Sequence, residues 1–355
     1  MKHYTLTCLL TFFGTMLLAQ SNDPWFPFWN KDSTLIGFKD KKGVVKIEPK
    51  FNGLTSEGIF ENIIAITEER NGVWDNYYLT KTGKVVGRDS LYIFDNSTDC
   101  ELEGFIRFHD RKTDQVGMFN KNGDIGIAAS YNELSRVRNG MIVALTGANK
   151  KIMGEHHWWD GGRTLLIDTN NKILIDSFRY YSDINFYSLQ ISPEINKDTI
   201  RQNFKGVNGQ YYSFIDFEKE FRSWLQSNLL NQFTKTSLLN RSNKKITIWK
   251  EPIGWKSEAK YSFIDRNFEL IKTKLLALKS GACDYNIFVE DLTPYDTEFK
   301  RYSNNCGESG DWKYPVMTIC INYDKKDLLQ DQFEFLRTDN GYKLISISVR
   351  NGKLR

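Results

Sequence analysis

The side chains best equipped for chemistry crowd into one octapeptide, Glu155-His156-His157-Trp158-Trp159-Asp160-Gly161-Gly162. Imidazole and carboxylate are ordinary metal ligands, which makes His156 or His157 with Asp160 or Glu155 the natural set to consider. Adjacent histidines on a strand point to opposite sides, however, and the paired glycines indicate a loop. Three ligands therefore do not converge, and no metal is expected. Trp158 and Trp159 offer a different chemistry, an aromatic platform for a sugar ring or another apolar face. The plainer alternative is an insertion loop whose tryptophans pack on neighbouring strands.

Motifs of known catalytic mechanics are absent: the chain has no GxSxG elbow, HExxH helix, GxxxxGK[ST] phosphate loop or GxGxxG turn. Apart from His3, its histidines are His109, His156 and His157, so nothing in the second half can use a histidine general base. Aspartates and glutamates remain as candidate acids and bases, but no spacing singles out a pair. No cofactor is expected.

The cysteines are Cys8, Cys100, Cys283, Cys306 and Cys320. Setting aside Cys8, which lies in an apolar N-terminal run, the even remainder permits disulfides in three connectivities. Cys283 and Cys306 flank loop-like sequence, whereas Cys320 sits in the apolar run 316–321. A Cys283–Cys306 bridge is the expectation, with Cys320 a buried free thiol. No CxxC spacing supports zinc or thiol redox chemistry.

Residues 1–20 read as a secretory signal peptide, with Lys2 and His3 at the start, an apolar core over 6–18, and Ala19-Gln20-Ser21 as the cleavage region. That core falls short of the about 20 apolar residues a spanning helix needs, and no later stretch approaches it. An uncleaved anchor is the rival reading. No cysteine stands at the cleavage region to carry a lipid. The expected address is periplasmic, cell-surface or secreted, with no integral membrane segment after cleavage.

About 335 residues would then remain, enough for two or three domains with real cores. Aromatic content of 14% tilts the expectation toward β structure. The net charge of +4, or +3 without Lys2, is spread without a basic block, which argues against a nucleic-acid partner.

The elements that would carry these groups are foreshadowed by a recurring turn. Gly37 to Val45 is echoed by segments beginning at 77, 117 and 165. In each, Asp40, Thr80, Asn120 or Asp168 opens the turn, and Gly43, Gly83, Gly123 or Asn171 follows three residues later. The first type hydrogen-bonds the backbone ahead, and the second accepts a left-handed conformation. Each unit therefore starts with a tight hairpin. Further short strands are expected at 63–66, 105–108, 141–145 and 189–191. The longer step to the last copy fits an insertion at 155–162.

These units resemble the WG-repeat family, most closely through Gly37, Gly43, Pro49 and Phe51, and through Gly117, Gly123 and Tyr131. Ile36, Asn76, Val116 and Thr164 stand where that family has its tryptophan. The resemblance spans residues 30–190 and implies a binding or surface module, a scaffold more than a catalyst. Stacked units of this kind bury their faces against neighbours and present an extended surface. Trp25 to Trp29 would cap the first unit.

The pattern changes near residue 192. Asp216 is placed to cap a helix carrying Phe217, Phe221, Trp224, Leu225, Leu229 and Phe233 on one face. A second helix is expected over 267–279, stopped by Gly281. Strand patterns follow at 317–323, 333–337 and 342–349, the last two joined through Asn340-Gly341. Helices before an antiparallel meander describe an α+β domain, and its closing strand resembles that of nuclear-transport-factor-two-like domains. The expected organisation is a signal peptide at 1–20, an all-β domain of degenerate hairpin repeats at 21–191, a linker at 192–212 and an α+β domain at 213–355.

The function that follows is an exported non-enzymatic binding or scaffold protein of the cell envelope, engaging a protein or glycan partner. The alternative is a hydrolase-like or ligand-binding activity in a pocket of the C-terminal domain.

Overall fold

The structure, a computed structural model, describes residues 23–354 apart from 53, 57, 155, 180–181, 251–253, 294–296, 325–328 and 351. The expected signal peptide and Glu155 lie outside the described residues.

Four turns share one pattern of hydrogen bonds. The Asp40 carboxylate accepts from the Lys42 and Val44 amides at 2.9 Å, while the Gly43 amide donates to the Asp40 carbonyl at 2.9 Å. Asn120 accepts from Asn122 and Asp124, and Asp168 from Asn170 and Lys172, in the same way. The shorter Thr80 hydroxyl accepts the Lys84 amide at 3.0 Å and shares a hydrogen bond with the Thr82 hydroxyl at 2.8 Å. Gly43 at φ 86° and Asn171 at φ 63° supply the left-handed residue that closes such loops.

Each turn joins two strands of a small antiparallel sheet. The first sheet holds β1 (Phe26–Trp29), β2 (Ile36–Lys39) and β3 (Val45–Phe51), and the second β4 (Ile63–Arg70), β5 (Val73–Thr80) and β6 (Val85–Val86). A separate hairpin, β7 (Ile93–Phe94) and β8 (Ser97–Thr98), comes next. The third sheet is β9 (Phe105–Asp110), β10 (Gln115–Asn120) and β11 (Ile125–Tyr131). The fourth is β12 (Glu133–Leu134), β13 (Met141–Met153), β14 (His156–Asp168) and β15 (Ile173–Ile175). The strands expected at 63–66, 105–108 and 141–145 lie in β4, β9 and β13, and each pairs forward with the strand that enters the next turn.

Alternation on these strands serves two cores at once. Ile64 and Ile66 pack with Ile36, Phe38 and Phe51 of the preceding sheet, while Ile63 and Ala65 pack with Ile106 and Phe108 of the following one. On β13, Ile142 and Ala144 face Val116 and Met118, whereas Met141 and Val143 face Phe178 and Phe214. Sheets buried on both sides read as continuous apolar runs. The small sheets thus stack face to face, and each fully buried leucine- or phenylalanine-sized side chain contributes about 1.5–3 kcal/mol.

Gly117 marks where β10 and β11 slip register. A Cβ there would lie 2.6 Å from the Ile127 carbonyl oxygen and 2.7 Å from the Ala129 nitrogen. Gly37 meets the same crowding in the first sheet, at 2.6 Å from the Ile47 oxygen and the Pro49 nitrogen. Gly117→Ala is expected to destabilise by about 1–3 kcal/mol, as overpacking does. Urea denaturation reads this; an unshifted midpoint would mean the strand pair can open to admit a methyl group.

Residues 192–212 are not a linker. They contribute to a fifth sheet of β16 (Ile184–Ser192), β17 (Arg201–Lys205) and β18 (Tyr211–Asp216), in the order β16-β18-β17. The stretch is polar because one side faces solvent, yet the Phe204 ring lies 4.6 Å from that of Phe178, tilted against it, and Tyr212 is buried in the same core. Since β18 runs to Asp216, the boundary expected at 213 also falls inside this sheet.

Asp216 ends β18 and caps α1 (Phe217–Leu225), accepting the Lys219 amide at 2.9 Å. A π-helical turn at Gln226–Leu230, α2 (Lys235–Asn240), β19 (Ser242–Lys250) and β20 (Gly254–Ala259) lead to α3 (Lys260–Ser280). This helix starts a turn or more before residue 267 because Phe263 and Ile264 extend its buried stripe toward the N-terminus. Gly281, at φ 66°, stops it. Then come β21 (Asp284–Glu290), β22 (Val316–Asp324), β23 (Leu329–Thr338) and β24 (Gly341–Ser348). The sheet order is β20-β19-β24-β23-β22-β21. The meander is therefore extended by β19, which runs parallel to β24 after the chain returns past the helices.

Candidate functional site

Cys100 and Cys306 form the disulfide, with Cα atoms 5.6 Å apart across 206 positions of sequence. The expected Cys283–Cys306 pair is corrected: Cys283 is free and packs half-buried against the helical core, where burial raises its thiol pKa. Cys320 is likewise free and buried, its thiol pushed up to about 11 by burial first and nearby carboxylates second. The segment between β21 and β22 carries Cys306 away from Cys283 and toward the small sheets. Asn304 shapes the turn, its side-chain oxygen accepting the Cys306 amide at 2.9 Å and the Glu308 amide at 3.0 Å.

Beside the bridge lies a charged cluster. The Asp99 side chain has no exposed surface. It accepts the Arg107 backbone amide at 2.8 Å, Arg107 Nε at 3.0 Å and Nη2 at 2.6 Å, and Arg136 Nε at 2.9 Å. Burial alone would raise the Asp99 carboxyl, but the two guanidiniums outweigh it and hold the pKa below the ordinary range. Arg136 also pairs with Glu308, and Arg138 with Asp311 at 3.0 Å. Glu308 moves the other way, because burial there exceeds the help from Arg136. These pairs join the stacked sheets to the segment after β21.

The cluster walls a cavity of about 610 Å³, which Tyr92, Phe94, Glu133, Ser135 and Thr164 also line. Tyr92 donates its phenol proton to Glu133 at 2.5 Å, and its ring lies 4.1 Å from the Arg107 guanidinium. Burial, and then the neighbouring carboxylate, keep that phenol protonated. A second hollow of about 840 Å³ surrounds the disulfide. Across the β7–β8 hairpin lies a cleft of about 410 Å³, lined by His109, Arg111, Lys150, His157 and Trp159 together with Tyr92, Phe94 and Glu133. The hairpin therefore stands between two compartments that share its base. Asp95 at φ 46° and Asn96 at φ 60° make its two-residue turn, and Phe94 is 73% exposed.

Residues 155–162, read from sequence as a loop, lie in a long two-stranded ribbon apart from Glu155. β13 and β14 stay paired out to Met153 and His156, and Gly161 and Gly162, at φ 73° and 79°, kink β14 without ending it. Trp158 and Trp159 are neighbours on that strand, so they face opposite sides and do not build one platform. Trp158 is 48% exposed. Trp159 turns toward the cleft, with Lys150 Nζ 5.6 Å from its ring centre and the His157 ring edge-on at 6.2 Å. Among the described residues no three His, Cys, Asp or Glu side chains gather as a metal site.

Sequence reasoning missed Tyr92, Asp99, Arg107, Glu133 and Arg136, which come from separate segments and carry no local motif. The closely spaced Glu133, Arg136 and Arg138 were the available hint. Between the helices and the six-stranded sheet, the space is filled by side chains such as Phe221, Ile271, Ile319 and Phe333, each with no exposed surface.

No helix among the described residues is long and apolar enough to cross a membrane. No family model matches the chain, and no curated protein matches it. Among solved structures, it is similar to TolB from Acinetobacter baumannii at 14% identity and a TM-score of 0.20. That match covers 54% of this chain and 54% of TolB, about half the length of each.

Proposed function

We propose that the chain is an exported, non-enzymatic binding protein, a stack of WG-like units joined to an α+β region, that holds a glycan in the cavity beside its disulfide. One observation carries the reading: apart from Asp95, the charged groups of the cavity wall are already engaged by partners. Asp99 is held by Arg107 and Arg136, Arg136 also by Glu308, Asp311 by Arg138, and Glu133 by the Tyr92 phenol. A small ion entering there would have to break a pair, whereas hydroxyl groups can use remaining lone pairs and N–H donors without doing so. Ser135 and Thr164 add hydroxyls to the wall, and Phe94 adds a ring. A volume of about 610 Å³ suits a short oligosaccharide. The same pairing speaks against catalysis, because a protonated phenol and a carboxylate fixed by two guanidiniums make poor proton carriers.

Export is supported by the leader-like sequence at 1–20 and by the disulfide, since such bridges persist in oxidising compartments. The shared hydrogen bonding of the four turns supports the WG-like reading.

The test is a glycan array probed with chain 21–355, followed by titration calorimetry on the best ligand. Phe94→Ala removes an exposed ring without touching a core, and affinity is expected to fall about tenfold through lost stacking. Absence of any bound glycan, or equal affinity in the variant, would sink the proposal.

A further inference from the structure

The two compartments astride the β7–β8 hairpin differ in charge. In the cavity beside the disulfide carboxylates outnumber guanidiniums, with Asp95, Asp99, Glu133, Glu308 and Asp311 set against Arg107 and Arg136. The cleft across the hairpin holds Arg111 and Lys150 with the imidazoles of His109 and His157, against only Asp114 and Glu133. Glu133 is engaged by Tyr92, and Asp114 lies 2.9 Å from Lys150 Nζ and 2.9 Å from His109 Nε2. Asp114 therefore holds Lys150 and His109 in place and offsets part of the charge of Lys150. Arg111 is exposed at the rim and makes no ion pair among the described residues.

We infer that this cleft is an anion subsite, and that the glycan held by the protein bears a carboxylate or phosphate which Arg111 and Lys150 receive. This rests on the glycan reading above. Tyr92, Phe94 and Glu133 line both compartments, and Phe94 is exposed at the tip between them, so a single ligand reaching over Phe94 can place its neutral rings on one side and its acidic group on the other. Glu133, at the shared base, repels an anion and directs it outward to Arg111 and Lys150. Trp159, half-buried beneath Lys150, gives that end an apolar floor.

The test uses chain 21–355 and three matched tetrasaccharide sets, ending in glucose, glucuronate or glucose 6-phosphate. Acidic ends are expected to bind at least about tenfold more tightly than the neutral one, with the gain shrinking as salt rises from 50 to about 500 mM. Arg111→Gln with Lys150→Gln is expected to erase the gain while leaving neutral binding unchanged. Both positions are on the surface, and a circular dichroism melt checks that the fold persists. The uronate and phosphate arms identify which anion is preferred. Equal binding of neutral and acidic sets, or a gain that survives the double variant, overturns the inference and leaves the glycan reading standing. Failure of all three sets to bind, with an empty array, overturns both.

Discussion

Cys306→Ser is expected to lower stability by about 5 kcal/mol, the entropy that a cross-link of this span removes from the unfolded chain. The bridged positions are 206 residues apart, which places the bond near the upper end of what such closure supplies. A fall in melting temperature of about 7 °C follows. The reduced wild-type protein should melt with the variant, and Cys100→Ser should match both. Cys283→Ser and Cys320→Ser should leave oxidised and reduced melts as far apart as in the wild type, because neither thiol is bridged. A variant melting within a few degrees of the oxidised wild type would show that the charged cluster alone holds the junction.

Asp99→Ala is expected to cost about 3–5 kcal/mol, because two guanidiniums lose their buried counter-charge together. Asp99→Asn keeps the shape and should cost less, leaving some acceptor capacity for Arg107. The pH dependence has a definite sign. The folded Asp99 pKa lies below its ordinary 3.8, so its stabilisation is present above that value and disappears as pH falls through the folded pKa. Glu308 opposes this trend: its folded pKa is raised above 4.5, so acidification through that value favours the folded state. Wild-type urea midpoints should therefore hold from pH 7 to about 4 and drop below it, while Asp99→Asn starts lower and drops less. Parallel curves for the two proteins would remove Asp99 from the account.

What the sequence reveals here tracks the distance over which each cause acts. Asp40, Asn120 and Asp168 bond amides two and four residues ahead, so those turns are written locally. Asp216 and Gly281 announce helix ends for the same reason. The strand at Arg201–Lys205 hides because Phe204 is its one apolar residue among polar ones, and only the packing of Phe204 against the core distinguishes it from a loop. The glycine pair at 161–162 suggests a chain break but produces a kink in a continuing ribbon. The candidate site is the least legible part. Arg136 meets Glu308 across 172 positions and Arg138 meets Asp311 across 173, and no local pattern encodes either contact. The disulfide expectation failed likewise, because proximity in sequence substituted for proximity in space.

The Cys100–Cys306 bond also has a mechanical meaning. It closes the intervening chain into a covalent ring, with Arg107, Glu133 and Arg136 inside and the first two small sheets on the tail before it. If the protein is pulled from its two ends, tension passes straight through the sulfur atoms, and the ring carries none of it. At about 3.3–3.6 Å per extended residue, some 700 Å of contour is withheld from stretching. The small sheets before Cys100 would come apart under load while Arg107, Glu133 and Arg136 stayed slack.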